Sequence, residues 1–163
     1  MSQNIPCKTT LEIIYVANPY TGTSYERNQR FLAVEKYSAH LIRNGEIAIS
    51  PIVHNHVLAF RHELPHDFAF WQNYCLNLLF ACDTMHILCL DGWEESVGVN
   101  GEIAEAMERE KSIWCINPDD YDDISHYVLP EYRTPAISAK KDREIHDEMD
   151  GSAAFDATTE DLY

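Results

Sequence analysis

Basic residues are scarce in this sequence. Its 163 residues hold 12 lysines and arginines against 27 aspartates and glutamates, which gives a net charge of −15 at pH 7. A surface with this charge repels phosphate backbones and anionic lipids, so the composition argues against a nucleic-acid polymer or a membrane as partner. A small phosphorylated ligand is still allowed, because a glycine loop and a helix start bind phosphate through backbone N–H groups.

Long apolar runs and a cysteine framework are missing too. No apolar stretch approaches the roughly 20 residues that span a bilayer, and the start, MSQNIPCKTTLEIIY, lacks the pattern of a signal peptide. The five cysteines form no CxxC pair and stand mostly in apolar runs, which predicts reduced thiols instead of disulfides or a zinc site. The sequence therefore predicts a cytoplasmic protein.

Apolar runs and amphipathic segments alternate along the chain. Runs rich in β-branched residues predict four strands, at residues 11–17, 46–50, 84–90 and 112–117. Helical spacing predicts three helices, at residues 25–44, 68–82 and 99–110. Because such alternation is typical of βα units, we predict a small doubly wound, flavodoxin-like α/β fold, with a parallel sheet and helices on both faces.

The remaining segments complete the predicted organisation. Residues 51–67, PIVHNHVLAFRHELPHD, are predicted to be irregular with one short helix, and residues 119–135 to add a short helix or an edge strand. We assign residues 1–130 to a single α/β domain. Residues 131–163 form an acidic C-terminal extension, which we expect to be partly mobile or packed on a partner subunit.

Candidate ligand-binding residues cluster where predicted strands end. Open α/β sheets bind ligands beyond the carboxyl ends of their strands, and residues 18–24, 50–56 and 91–102 follow three such ends. In the third segment, DGWEESVGVNGE, the glycines allow backbone N–H groups to face a ligand, and Ser96 adds a hydroxyl. Neither a P-loop nor a GxGxxG motif is present, so the sequence gives little support to dinucleotide binding.

Glu102 follows this glycine-rich segment, at the predicted start of a helix. There the helix dipole would lower the pKa of the carboxyl group and keep it ionised at neutral pH. An ionised carboxylate over a pocket suits nucleophilic attack on the anomeric carbon of a sugar. On spacing alone, the ordinary role of a glutamate that favours a helix start is the more common one.

Two stretches resemble the nucleoside 2-deoxyribosyltransferase-like superfamily. They are IIYVANPY at residues 13–20 and GWEESVGVNGEIAEAMEREKSIWCI at residues 92–116. Within the superfamily the chain is most similar to small bacterial and phage proteins and to the 2'-deoxynucleoside 5'-phosphate N-hydrolases. The resemblance implies that Glu102 attacks C1' of the sugar and that the hydroxyl of Tyr15 hydrogen-bonds this glutamate.

The resemblance also implies a ligand and an assembly. Ser96 and Gly98 match positions that hold a 5'-phosphate, which favours a nucleoside monophosphate over a nucleoside. The domain would then bind a small nucleotide or nucleoside. A homodimer or higher homo-oligomer is expected, in which a neighbour completes each site. No cofactor is expected, because the carboxylate carries the chemistry.

Other loop residues are candidate substrate contacts, each with a structural alternative. Asn18 could hydrogen-bond sugar or phosphate, or only start a turn. Tyr20 and Trp93 could stack on a base, or cover the edge of the core. His54 could contact the base, or be an ordinary surface histidine. A metal site that uses His54 and His56 is not predicted, because no cysteine or carboxylate has matching spacing.

The predicted helix at residues 68–82 departs from the resemblance. Phe68, Trp71 and Leu78 on it are predicted to face the core, but Cys75 stands where the superfamily has an aspartate that helps the base to leave. A thiol is a poor general acid at neutral pH, so Asp67, His54 and Glu95 become candidates for that role. The sequence therefore supports an N-glycosidic hydrolase or 2-deoxyribosyltransferase for a nucleoside 5'-monophosphate or nucleoside. The alternative is a weakly active or inactive nucleotide-binding or sensor protein.

Overall fold

A five-stranded sheet forms the centre of the structure, a computed structural model that describes residues 12–128. The strands are β1 (Ile13–Ala17), β2 (Ile47–Ile49), β3 (Thr84–Leu88), β4 (Ser112–Ile116) and β5 (Ile124–His126). Their order across the sheet is β2-β1-β3-β4-β5. The first four strands are parallel and β5 is antiparallel to β4. The order of a flavodoxin-like sheet is therefore present, and the α/β prediction is confirmed.

Four helices connect these strands, and local capping explains where each one begins. They are α1 (Ser24–Arg43), α2 (Pro51–Arg61), α3 (Phe68–Ala81) and α4 (Val97–Glu108). The residues that cap their N-termini through side-chain oxygens are Thr23, Ser50, Asp67 and Ser96. Each accepts a hydrogen bond from a backbone N–H group that the helix itself leaves unpaired. At the other end of α1, Gly45 adopts a φ of 81° and stops the helix.

Strand β1 shows how the sheet separates two apolar layers. Tyr15 and Ala17 join one buried cluster, while Ile14 and Val16 join the other, because successive side chains of a strand point to opposite faces. Residues from α3 and α4 pack into the first cluster, and residues from α1 and the start of α2 pack into the second. The helices thus lie on both faces, as predicted.

Two loosely predicted segments become definite in the structure. The short helix expected within residues 51–67 spans Pro51–Arg61, and less of the segment is irregular than predicted, because Ser50 caps the helix and Pro51 suits its first position. For residues 119–135 the sequence allows a short helix or an edge strand, and within the described part β5 forms the edge strand. Residues 131–163 lie outside the described residues.

Phe68 and Trp71 are only half-buried and line a cavity, so the prediction that they face the core is wrong. The four cysteines within residues 12–128 form no disulfide with one another, and two of them are buried. No helix in this part of the chain is both long and apolar enough to cross a membrane.

Candidate functional site

An open cavity of about 590 Å³ lies at the carboxyl edge of the sheet. Its walls come from the β1–α1 loop, from α2, from α3 with the residue pair before it, and from the start of α4. The apolar part of the lining consists of Pro51, Ile52, Ala59, Phe68, Trp71 and Val99. Its position is the one expected for a ligand of an open α/β sheet.

Glu102 and Tyr15 form a buried hydrogen-bonded pair at this cavity. The Tyr15 hydroxyl donates to Oε1 of Glu102 over 2.6 Å. Tyr15 is fully buried in the middle of β1, and Glu102, which lines the cavity, is only 7% exposed. The short distance is typical of an O–H donor bonded to a carboxylate, so the phenol fixes the orientation of the carboxyl group.

Burial controls the protonation of both partners. It raises the pKa of Glu102 from 4.5 to about 7, and the hydrogen bond from Tyr15 opposes this rise. The pKa of Tyr15 lies well above 10, because burial and the nearby carboxylate both disfavour a phenolate. Tyr15 therefore remains a donor at all ordinary pH values, while Glu102 exchanges its proton near neutrality.

The predicted pKa of Glu102 is wrong in direction, and its place in the helix gives the reason. Because α4 begins at Val97, Glu102 lies in the second helical turn and not in the first. The dipole acts mainly within the first turn. Desolvation by the surrounding core is the larger effect and raises the pKa.

Ser96 and Gly98 line the cavity at the start of α4, but their local roles differ from the predicted loop. The hydroxyl of Ser96 caps the helix by accepting from the N–H of Val99 at 3.4 Å. Gly98 and Gly101 are helical, and a Cβ at either position would lie 3.1–3.2 Å from the ring of Phe68. These glycines therefore permit close packing of α3 on α4, and they do not form a loop that exposes backbone N–H groups.

Cys75 of α3 also lines the cavity, beside the pair of Tyr15 and Glu102. Its thiol interacts with the Tyr15 hydroxyl, and burial raises its pKa to about 12. The thiol is therefore protonated at neutral pH and a weak proton donor.

Aromatic and histidine side chains form a second group of cavity residues. The Tyr20 hydroxyl and Nδ1 of His56 are 2.7 Å apart and share a hydrogen bond. The His56 ring stacks on Phe31 with centroids 4.2 Å apart, and the ring of His66 lies 6.4 Å from that of Tyr20. Burial, His66 and Arg27 lower the pKa of His56. Tyr20 thus reaches the cavity as predicted, but beside a histidine pair that the sequence did not assign to the site.

The structure does not bring three sequence-predicted candidates to the cavity. His54 is exposed, because the other face of its helix carries Asn55 and His56 to the cavity. The ring of His54 is parallel to that of Tyr74. Trp93 is buried in the core cluster, where it packs on Tyr127. Glu95 is exposed and is not part of the cavity lining.

Two buried amides line the cavity, of which the sequence proposed Asn18 as a candidate contact and missed Asn55. Asn18 and Asn55 both line the cavity and are each 6% exposed. Among residues 12–128, Oδ1 of neither amide has a hydrogen-bond partner, while the NH₂ group of Asn18 donates to the carbonyl of Pro19. Asn55 could have been found from the helical spacing of Ile52, Asn55 and Ala59, which places them on one face of α2.

Charged side chains near the cavity are mostly acidic. Glu102 and Asp67 line it, whereas no lysine or arginine among the described residues does. Arg27 and Arg30 instead donate to the carbonyls of Gly22 and Thr21, and Arg30 also reaches the carbonyl of Asp91. These arginines hold the β1–α1 loop in place. In the same part of the chain, no group of three histidine, cysteine or acidic side chains is placed to hold a metal ion.

Comparison with known proteins identifies the family. No curated protein matches the chain. Residues 12–117, which contain β1 to β4 and all residues of the cavity, match the family described as "Domain of unknown function (DUF1937)". The match covers well over half of the sequence, so the chain belongs to the DUF1937 family.

Proposed function

We propose that this protein cleaves the N-glycosidic bond of a nucleoside or nucleoside 5'-monophosphate, with Glu102 as the nucleophile. The observation that carries the proposal is the 2.6 Å hydrogen bond between Tyr15 and Glu102 at the cavity that Glu102 lines. A carboxylate that is buried, oriented by a neutral donor and open to a cavity is suited to covalent catalysis on a sugar. The resemblance of the sequence to nucleoside 2-deoxyribosyltransferases supports the same chemistry.

The reaction would run in two steps. An oxygen of ionised Glu102 attacks C1', the C1'–N bond breaks, and its electron pair leaves with the base, which takes up a proton. The sugar is then held as an ester of Glu102. Water attacks this ester and releases the free sugar, or a second base attacks C1' and gives a transfer product. Tyr15 would orient the carboxylate in the first step and stabilise it again when it departs in the second.

The lining fits the two halves of a nucleoside. Phe68 and Trp71, which the sequence assigned to the core, offer ring surfaces on which a base could stack. Asn18 would reach the sugar from the β1–α1 loop. Its Oδ1 lacks a partner among the described residues and would accept from a sugar hydroxyl.

The charge of the cavity favours a substrate without phosphate. The described lining contains two carboxyl groups and no lysine or arginine. Ser96 and Gly98 could still contribute through the N-terminus of α4, but the ring of Phe68 packs closely on Gly98. We therefore expect a nucleoside to be cleaved faster than its 5'-monophosphate.

A second candidate, binding without turnover, is favoured by one observation. Cys75 has a pKa of about 12 and cannot efficiently protonate a departing base. A protein with this site and no other proton donor would hold its ligand and release product slowly or not at all.

Base release separates these two functions. Purified protein would be incubated with each ribo- and deoxyribonucleoside and with each matched 5'-monophosphate, and free base would be measured by liquid chromatography. The proposal predicts release from at least one nucleoside, lost in Glu102→Gln but kept in Glu108→Gln, which changes an exposed glutamate of the same helix. Ligand-dependent thermal stabilisation without free base would instead support the binding function.

A further inference from the structure

We propose that His66 is the general acid that protonates the departing base, a role that the superfamily assigns to an aspartate at the position of Cys75. The inference rests on the proposed function and adds a catalytic residue to it. His66 lines the same cavity as Glu102, in the loop that precedes α3. Histidine is the side chain that most often transfers protons in enzyme sites.

The acidic groups of the cavity are already engaged. Glu102 is the nucleophile and cannot also donate the proton. Asp67 accepts from the N–H of Phe70 at 3.0 Å and caps α3. Cys75 holds its proton too tightly, because its pKa is about 12.

The other histidine of the cavity is engaged as well. Nδ1 of His56 shares a hydrogen bond with the Tyr20 hydroxyl, and the His56 ring is stacked on Phe31. Burial, His66 and Arg27 lower the pKa of His56 and so favour its neutral form. His56 is therefore held in place as a neutral partner of Tyr20.

His66 differs from these groups because its Nδ1 is buried and has no hydrogen-bond partner within residues 12–128. Buried polar atoms without a partner are rare in folded proteins, and a bound ligand is one way to satisfy them. The loop around His66 is also fixed, because the indole N–H of Trp71 donates to the carbonyl of Pro65 at 2.7 Å. His66 is thereby held next to the aromatic residues on which a base could stack.

The proposed step balances as follows. The imidazolium of His66 gives a proton to a nitrogen of the base as Glu102 bonds to C1' and the C1'–N electron pair moves to the base. Neutral His66 then takes a proton from the water that attacks the ester. Each turnover returns His66 to the imidazolium and Glu102 to the carboxylate.

Leaving-group dependence tests this role. The nucleoside that the wild type cleaves fastest would be compared with the 4-nitrophenyl glycoside of the same sugar, whose leaving group departs as a stable anion without a proton. We expect His66→Ala and His66→Asn to lower kcat for the nucleoside by roughly 10²–10⁴-fold, the usual contribution of a general acid. Their kcat for the 4-nitrophenyl glycoside should stay close to that of the wild type.

Matched controls make each outcome informative. His62→Ala removes an exposed histidine of the same segment and should leave both substrates unaffected. An equal loss on both substrates in the two His66 variants would assign His66 a structural role and overturn the inference. If the wild type cleaves the 4-nitrophenyl glycoside and the His66 variants keep full activity on the nucleoside, the inference is overturned. The proposed function is intact in that case. Cleavage of neither substrate by the wild type would refute the proposed function and the inference together.

Discussion

Replacing Glu102 by glutamine should stabilise the protein at high pH and not at low pH. Below pH 4.5 the carboxyl group is protonated in both the folded and the unfolded chain, so its charge contributes nothing to the difference between them. As the pH rises from 4.5 to about 7, the unfolded chain ionises first, because burial raises the pKa of Glu102 in the folded protein. The wild type therefore loses stability across this range, and the variant does not.

The magnitude follows from the two pKa values. A rise from 4.5 to about 7 corresponds to about 3 kcal/mol in the free energy of unfolding at pH 8 and above. In a protein of this size such a change would raise Tm by roughly 10 °C. Glutamine keeps the shape of the side chain, and its Oε1 can still accept from the Tyr15 hydroxyl, so the packing around the pair is preserved.

Urea unfolding at pH 4.5, 6, 7 and 8.5 would measure this effect. The gain of Glu102→Gln over the wild type should be near zero at the lowest pH and grow to its full value above pH 7. Glu108→Gln, which changes an exposed glutamate of the same helix, should show no such trend. A gain that is equal at all four pH values, or a variant less stable than the wild type at pH 8.5, would refute the assignment of a raised pKa to Glu102.

Three further predictions test the surroundings of the site. Tyr15→Phe removes the hydrogen bond that lowers the pKa of Glu102, so base release should fall more at pH 6 than at pH 9; an unchanged pH profile would contradict this role of Tyr15. Gly101→Ala would place a Cβ 3.1 Å from the ring of Phe68, and this contact should offset the gain of roughly 1 kcal/mol that alanine has over glycine inside a helix; in a Phe68→Leu background the same change should stabilise the fold by about that amount, and an equal effect in both backgrounds would show that the contact is unimportant. Thr23→Ala should cost about 1 kcal/mol in urea unfolding because it removes the cap of α1, whereas Thr23→Ser should retain most of the stability; equal losses would argue against the capping box.

Local sequence patterns were sufficient for most of the fold. The strand Ile13–Ala17 and the helix Ser24–Arg43 could be predicted as strand and helix. In each of them the spacing of apolar residues within the segment itself indicates which side chains are buried. The helix Pro51–Arg61 was predicted only as one short helix of unspecified position within residues 51–67, because the histidines and prolines of this segment resemble a loop in composition. Its N-cap and the shared face of Ile52, Asn55 and Ala59 were the available signals.

The site was less predictable, because its properties arise from packing between distant segments. The pairing of Tyr15 with Glu102 came from the resemblance and not from spacing, since the two residues are 87 residues apart in the sequence. The pKa of Glu102 could not be inferred from its helix, because its burial depends on elements elsewhere in the chain. His54 was a candidate for contact with the base because it follows β2, with an ordinary surface histidine as the alternative. The helical rotation of α2 leaves His54 exposed and brings Asn55 and His56 to the cavity.

Trapping the covalent intermediate would test the central claim, that Glu102 is the nucleophile. A nucleoside carrying fluorine at C2' slows hydrolysis of the ester, so that the glycosyl-enzyme accumulates and can be found by mass spectrometry of the intact protein and of its peptides. The account predicts one added sugar per chain, located on Glu102 and absent from Glu102→Gln. Turnover of nucleosides with no adduct, or with an adduct on another residue, would contradict it.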